Sequence, residues 1–383
     1  PLSKNDTKPF DIVIIDESSQ SNILSLPVLL RAKKVVIVGD DKQVSPAPIG
    51  IPTQEIMKLH NKYLKNTPLG IEFDIDTSIY DLASMYLAPS KITLKEHFRC
   101  LPEIIGFSNK TYYNNMMIPL KIKDPSSKLG FPINAIYVEN AYVSGTGEQI
   151  RNDKEAIEII KLLKELVSKK EYENKTFGII ILQGHGQKGK LYDLISELGQ
   201  EIIQKHSIKI GTASEFQGDE RDIIFLSMVI SNVQEDGEKY SFTALTRKLY
   251  EQIYNVAASR AKEQLFLFHS VKLVDLNKNC QRYKLLDYIQ NYKNIERKMK
   301  EAKFDSIFEE DVYRKIIEKG YSATTQFRVG NKRIDIVIEG EKSRLAVECD
   351  GDKYHSGEDF IKDLERQNTL ERVGWTFWRI RAS

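Results

Sequence analysis

Residues 11–20, DIVIIDESSQ, limit the choice of fold more than any other stretch of the chain. An uninterrupted apolar run ending in adjacent carboxylates reads as a fully buried parallel strand, because strands covered on both faces lose the apolar–polar alternation. Its end would present Asp16 and Glu17 at the sheet edge where open α/β folds bind ligands. Asp16 is suited to hold Mg²⁺ through an oxygen, Glu17 to polarise a water, and Gln20 to orient that water toward a terminal phosphate. Taken alone, the segment also fits an ordinary strand with solvated acids at its end.

The following residues favour the ligand-site reading. After a helical stretch at 23–31, residues 34–43 (KVVIVGDDKQ) repeat the buried-strand pattern and end in Gly39, Asp40 and Gln43. Two such strands joined by about one helix form a βαβ unit, so both polar edges are expected to face one crevice. Further on, HFRC supplies Arg99, which between two α/β lobes can reach across to stabilise charge on a transferred phosphoryl group, although an isolated Arg is usually a surface salt-bridge partner. Residues 133–270 repeat the α/β rhythm, with strands expected at 137–138, 177–182 and 264–269 and helices at 153–167 and 191–203. Between them, GTASEFQGDERD offers small hydroxyl residues and a glycine that permits close backbone approach to a phosphate or sugar. Small residues around Arg260 suggest a closely packed helix that delivers this guanidinium to a nucleotide.

Length and composition bound the class. A chain of 383 residues allows two or three domains, and 41% hydrophobic with 29% charged residues is a globular balance. With 56 Lys and Arg against 54 Asp and Glu the net charge is +2, which excludes a general polyanion-coating role but leaves room for a local basic groove. Cys100, Cys280 and Cys349 are far apart and lack paired metal-ligand spacing, so neither a disulfide framework nor a zinc site is expected. No apolar run reaches the roughly 18 residues of a membrane span, and the N-terminus lacks a signal-peptide pattern; the expectation is a reducing, cytoplasmic setting. The chain has no initiator Met and its first motif is under way by residue 11, which reads as part of a longer polypeptide.

The last eighty residues form a separate pattern. A stripe of Phe304, Ile307, Phe308, Val312, Ile316 and Ile317 predicts a helix capped at Gly320, followed by strands at 326–329, 333–339 and 344–350, a helix at 358–373 and a final strand at 375–381. Alternation places Glu348 and Asp350 on one face and Val347 and Cys349 on the other, and Asp335 with Val337 opposite Ile334, Ile336 and Ile338. A hairpin turning near Glu341 and Lys342 sets Asp335 across from Glu348. Like charges so placed repel, a divalent cation relieves them, and an oxygen-only donor set favours Mg²⁺ or Mn²⁺ over zinc.

Two resemblances follow from these motifs. DESSQ, GDDKQ, LKEHFRC, GTASEFQGDERD and NVAASRAK, in that order, resemble superfamily 1 helicases of the Upf/Dna2-like branch over residues 10–270. That resemblance implies RecA-like parallel-sheet lobes, with Asp16 and Glu17 for Mg²⁺ and water activation and Gln20 and Gln43 for γ-phosphate sensing. It also implies Arg99 and Arg260 as arginine fingers, with Thr212, Gln217 and Glu220 coupling nucleic-acid contact to ATP. The family's GxxxxGK[ST] phosphate loop occurs nowhere in these residues and is expected in an N-terminal remainder of the polypeptide; weak or no ATP turnover is expected from residues 1–383.

The second resemblance covers residues 303–383. SIFEEDVY, QFRVGNKRIDIVI, LAVECDGDKYH, KDLERQNTLERVGW and FWRIR are similar to PD-(D/E)xK endonucleases related to very-short-patch-repair enzymes. It implies a small restriction-endonuclease-like α/β domain with Asp335, Glu348 and Asp350 as metal ligands and Glu309, His355, Asp363 and Arg366 in support. The usual Lys after the second acid is replaced by Asp350, which leaves the general base open, with Gln326 and His355 as assistants. The expected organisation is lobe 1 at 1–90, lobe 2 at 91–275, a helical linker at 276–302 and the endonuclease-like domain at 303–383. The expected partner is nucleic acid, DNA ahead of RNA. An RNA-directed motor, and a module whose last domain docks without cleaving, remain open.

Overall fold

The computed structural model describes residues 10–44, 53–65, 77–87, 90–124, 126–300, 304–319, 321, 323–329, 332–340, 343–350, 367–372 and 374–381. The cap at Gly320, the turn at Glu341 and Lys342, and His355, Asp363 and Arg366 lie outside these residues. The chain is mixed α/β and divides into two compact units, residues 1–94 with 246–256 and residues 95–245 with 257–383.

In the first unit, strands β1 (Phe10–Ile15) and β2 (Ala32–Ile37) pair in parallel, Ile14 beside Val36. Their connection, Ile23–Arg31, is a tight 3-10 helix with Pro27 inside it. Helices α1 (Thr53–Tyr63) and α2 (Ile79–Tyr86) follow. Ser78 and Asp81 form a reciprocal capping box that satisfies orphan amides at the start of α2. Parallel pairing matches the expectation for this segment, but full burial does not. Ile12 and Ile14 are 55% and 68% exposed, because among the described residues this sheet has two strands and neither face is closed over β1.

The second unit starts with the short pair β3 (Glu96–His97) and β4 (Ile118–Pro119), separated by α3 (Pro102–Tyr112). A five-stranded parallel sheet follows, built from β5 (Ile133–Tyr137), β6 (Phe177–Ile181), β7 (Lys209–Thr212), β8 (Arg221–Ser231) and β9 (Ala261–Ser270) in the order β5-β9-β8-β6-β7. Helix α4 (Asp153–Val167) has the boundaries its periodicity predicts, with Asn152 accepting the Glu155 amide as N-cap. The predicted helix at 191–203 is instead α5 (His185–Ile195) and α6 (Gln200–Lys205), separated by a 3-10 turn at Ser196–Leu198 that ends at Gly199, whose φ is 81°. Ile159 and Leu163 of α4 and Leu191 of α5 pack on Phe177, Phe225 and Phe268 in one cluster.

Helix α7 (Lys248–Ala258) ends two residues short of Arg260, so this arginine sits on the turn into β9 and not on the expected helix. Helix α8 (Gln281–Lys300) lies within the segment expected as a helical linker. Its first half is core, with Leu285, Leu286 and Ile289 buried. The Tyr288 hydroxyl donates to the Glu103 carbonyl at 2.9 Å and fills the space a Cβ on Gly106 would need.

The last eighty residues fold on a four-stranded sheet of β10 (Ala323–Val329), β11 (Lys332–Glu339), β12 (Arg344–Asp350) and β13 (Trp375–Arg381), preceded by α9 (Ile307–Glu318). β10, β11 and β12 are antiparallel neighbours, and β13 joins β12 in parallel. Val312 and Ile316 of α9 cover one face with Ile336 and Val347, whereas Ile307, placed in the apolar stripe, is 80% exposed. Leu370, Trp375 and Leu120 cover the other face with Val337 and Ala346.

Ile334 joins Val337 on that second face, contrary to the expected alternation, while Ile336 and Ile338 lie on the α9 side. Phe327 on β10 switches faces relative to Ala323 in the same way. The switch falls at the facing positions Gln326 and Asp335, and Gln326 has a φ of 51°, which resets the pleat.

Candidate functional site

In the first unit the sequence-predicted acids sit on a tight turn at the end of β1. Glu17 adopts a left-handed conformation with φ 49°, a costly backbone for a non-glycine residue, and starts the 3-10 turn Ser18–Gln20. The turn is pinned from several sides: the Glu17 amide donates to Asp16 Oδ1 at 2.8 Å, Gln20 Nε2 to Glu17 Oε2 at 3.2 Å, and Ser18 Oγ to the Val38 carbonyl at 2.6 Å. The backbone of Ser18 also donates to Val38, so the acidic turn and the 39–43 turn share one sheet edge, as the βαβ reading requires. Gly39 is needed there, since a Cβ would lie 2.7 Å from Tyr80 and 2.8 Å from Ser18 Oγ. Gln43 is held by Asp40 at 3.0 Å, and Asn255 donates to the Lys42 carbonyl at 2.8 Å.

A charge cluster gathers the candidates of the second unit. Glu220 accepts from Arg99 Nε at 2.8 Å and from Lys262 Nζ at 2.9 Å. The hydrogen bond from Lys262, then the charges of Lys262 and Arg99, outweigh burial and hold the Glu220 carboxyl below its ordinary range. Arg260 is 2% exposed and reaches the Asp219 carbonyl through Nη1 at 3.4 Å. For Asp219, burial pushes its carboxyl up, but hydrogen bonds from Lys209 and Arg221 prevail and hold it at about 2. Thr212 lies at the end of β7, its amide donating to Glu215 Oε2 at 2.7 Å, and Gly218 takes a φ of 74° directly after Gln217.

Lys262 and Asp219 were missed by sequence reasoning. Both adjoin or sit within quoted motifs, so proximity to Arg260 and Glu220 was the available signal. Glu155 was missed as well. It is fully buried, accepts from Ser227 Oγ at 2.9 Å and from the Val229 amide at 3.2 Å, and is pushed up to about 8 by burial against those hydrogen bonds. Val229 has a φ of 57° inside β8, a conformation a β-branched residue rarely adopts. The carboxyl of Glu155 therefore clamps an irregular strand end.

The endonuclease-like acids lie where β11 and β12 part. Pairing runs from Glu339 opposite Arg344 to Ile336 opposite Val347, so the same register sets Asp335 across from Glu348 as predicted. At that point the ladder gives way, and the Cys349 amide donates to Asp335 Oδ2 at 2.7 Å. Glu348 is 9% exposed and registers with Arg379 on β13. Glu309 on α9 accepts from Gln326 Nε2 at 2.7 Å and from the Asp305 amide at 3.1 Å. Burial, with the Asp335 charge, raises the Glu309 carboxyl against those hydrogen bonds.

Asp350 ends β12, but its side chain is outside the described residues. Among the described residues, no three His, Cys, Asp or Glu side chains converge closely enough to hold an ion. The donor chemistry still fits a hard divalent cation: carboxylates at neighbouring positions of β11 and β12 and, beside Glu309, a buried Gln326 Oε1 that accepts no hydrogen bond from the described residues. Cys100 and Cys280 are buried and Cys349 half-buried, and burial pushes the Cys100 thiol up to about 12. No helix among the described residues is long and apolar enough to cross a membrane.

Comparison with known proteins defines the class. An AAA domain family model (AAA_12) matches residues 75–272, another (AAA_11) matches residues 2–49, and the REase_MTES_1575 model matches residues 308–383. The chain belongs to the AAA_11/AAA_12 helicase family, the superfamily 1 branch that includes Upf- and senataxin-like helicases, and carries an endonuclease-like domain at its C-terminus.

Among its relatives is a Mycoplasma pneumoniae protein described as an uncharacterized ATP-dependent helicase, 24% identical over 296 residues, covering 72% of this chain and 24% of the relative. Mouse probable helicase senataxin is 26% identical over 295 residues, covering 74% of this chain and 10% of that protein. The chain thus spans 24% or less of the length of these relatives. A solved C-terminal domain of a possible DNA helicase from a Lactobacillus species aligns with 45% of this chain and 87% of its own at 15% identity, with a TM-score of 0.26.

Proposed function

We propose that the chain is the C-terminal part of an ATP-dependent helicase, acting on DNA, joined to an endonuclease that requires a divalent cation. In the motor, Asp16 would hold the Mg²⁺ of ATP, Glu17 would activate water, Gln20 and Gln43 would sense the γ-phosphate, and Arg99 and Arg260 would stabilise charge on the transferred group. Thr212, Gln217 and Glu220 would link nucleic-acid contact to that chemistry. The phosphate loop would come from an N-terminal remainder of the polypeptide.

In the endonuclease, Asp335, Glu348 and Asp350 would hold Mg²⁺ or Mn²⁺. Such a cation supplies a Lewis acid for the phosphodiester and lowers the pKa of the attacking water. The chain's own residues position these groups: the Cys349 amide fixes the Asp335 carboxylate, and Glu309 anchors Gln326. His355 and Arg366 would assist with protons and phosphate contacts.

The observation that carries the proposal is the β11–β12 register that brings Asp335 opposite a buried Glu348. Like charges on opposed strand positions repel, and a divalent cation between them would relieve that repulsion. The test is cleavage of single-stranded and duplex DNA with Mn²⁺ by the wild-type chain, Asp335→Ala and Glu348→Ala. Each substitution is expected to slow cleavage by at least about 10²-fold, the scale of losing one positioned catalytic group. Equal inertness of all three chains on every substrate would replace this reading with that of a docking module.

A further inference from the structure

Gln326 is buried to 9% exposure in the middle of β10, yet its Oε1 accepts no hydrogen bond from the described residues. Buried polar atoms almost always have a partner, so an orphaned acceptor points to a group that belongs there. The orientation of the amide is set by its neighbour. A carboxylate can only accept from an amide, so the NH₂ end must face Glu309, 2.7 Å away, and the carbonyl oxygen must face the other way. Gln326 occupies the β10 position between the pairs Thr325–Ile336 and Phe327–Ile334, the position that faces Asp335 on β11. The orphaned oxygen therefore belongs to the residue that faces Asp335 across this strand pair. An amide carbonyl offers lone pairs and no proton, which is what a cation seeks and what a neighbouring carboxylate avoids.

We propose that the Gln326 carbonyl is a neutral oxygen ligand of the divalent cation, and that Glu309 is a positioning residue that acts through it. This rests on the metal-dependent reading of the Asp335–Glu348 site. Glu309 is occupied differently from a ligand: its carboxylate takes the Gln326 amide and the Asp305 backbone amide, while Ser306 Oγ accepts the Glu309 amide at 3.1 Å. The start of α9 and the strand at Gln326 are thereby tied by one carboxylate. A carbonyl ligand adds oxygen without adding charge to a site that already gathers carboxylates.

The test is Mn²⁺ binding followed by electron paramagnetic resonance on the full chain carrying Asp16→Asn, so that binding at the first unit does not contribute. In that background Gln326→Leu is expected to weaken Mn²⁺ binding about tenfold, and Glu309→Ala to weaken it by a similar or smaller factor, in the range for groups that hold or orient ligands. The paired exchange Glu309→Gln with Gln326→Glu reverses donor and acceptor but keeps an oxygen for the cation, and is expected to restore or strengthen binding. It also decides the matter if the leucine variant does not fold. Binding by Gln326→Leu equal to the parent, or a paired exchange as weak as Glu309→Ala, would overturn the inference. If Asp335→Asn leaves Mn²⁺ binding unchanged, the metal-site reading itself fails, which is a separate outcome.

Discussion

β1 and β8 carry the same local signature, an apolar run that delivers polar residues to one end of a parallel sheet, but they meet different surroundings. Ile14 in β1 is 68% exposed, whereas Phe225 in β8 is fully buried and contacts the rings of Phe177, Phe266 and Phe268. β1 has a single strand partner among the described residues; β8 lies between β6 and β9 under α4. The strand ends differ in the same way. Asp16 and Glu17 ride on an exposed turn held by local hydrogen bonds and by Ser18 on Val38, and the end of β8 is clamped by a buried carboxyl from a helix 72 residues away. An apolar run thus declares strand propensity, and the number of layers packed on it decides how much stability each side chain contributes.

The largest expected consequence concerns the two strand interiors. Phe225→Ala is expected to cost about 3–5 kcal/mol through lost burial and a residual cavity, while Ile14→Ala should stay within about 0.5 kcal/mol. Denaturant unfolding of the second and first units checks this, and equal losses would break the contrast.

A smaller effect is expected at Glu155. Its folded-state value of about 8 lies above the ordinary 4.5, so the folded chain keeps a proton that the unfolded chain has lost between those limits. Stability from this group is fully present below about pH 4.5, falls as pH rises toward 8 and is level above it. Glu155→Gln, a neutral isostere, is expected to flatten melting temperature against pH in that window. Asp219, held at about 2, gives the opposite slope, confined to pH below its ordinary 3.8.

The smallest effect belongs to Lys33 and Asp11, paired at 2.7 Å on the first sheet with side chains 63% and 88% exposed. A double-mutant cycle is expected to find a coupling of at most about 0.5 kcal/mol, because solvent screens exposed pairs. A larger coupling would mean that the first sheet is more shielded than its exposures show.

Much of the candidate sites was legible because their chemistry is written in short local patterns. Asp16, Glu17 and Gln20 fall on one turn by sequence spacing alone, and Asp335 and Glu348 take opposed positions by the register of a strand pair. The face of Ile334 was not legible, because alternation assumes an unbroken pleat and Gln326 interrupts it with a positive φ. The place of Arg260 beyond the end of α7 also escaped the pattern, since Ala258 and Ser259 can serve a helix or a turn equally well.

By itself the sequence determined the α/β class, the parallel strands and the order of motifs, all of which depend on near neighbours in the chain. Only the tertiary structure decided that β1 is exposed and β8 buried, that Glu155 clamps Val229, that Glu220 joins Arg99 to Lys262, and that Gln326 places an orphaned carbonyl beside Glu309. Those facts depend on which distant segments share a volume from which water is excluded. Burial sets the strength of a charge and the cost of an unpaired oxygen, and no local pattern encodes it.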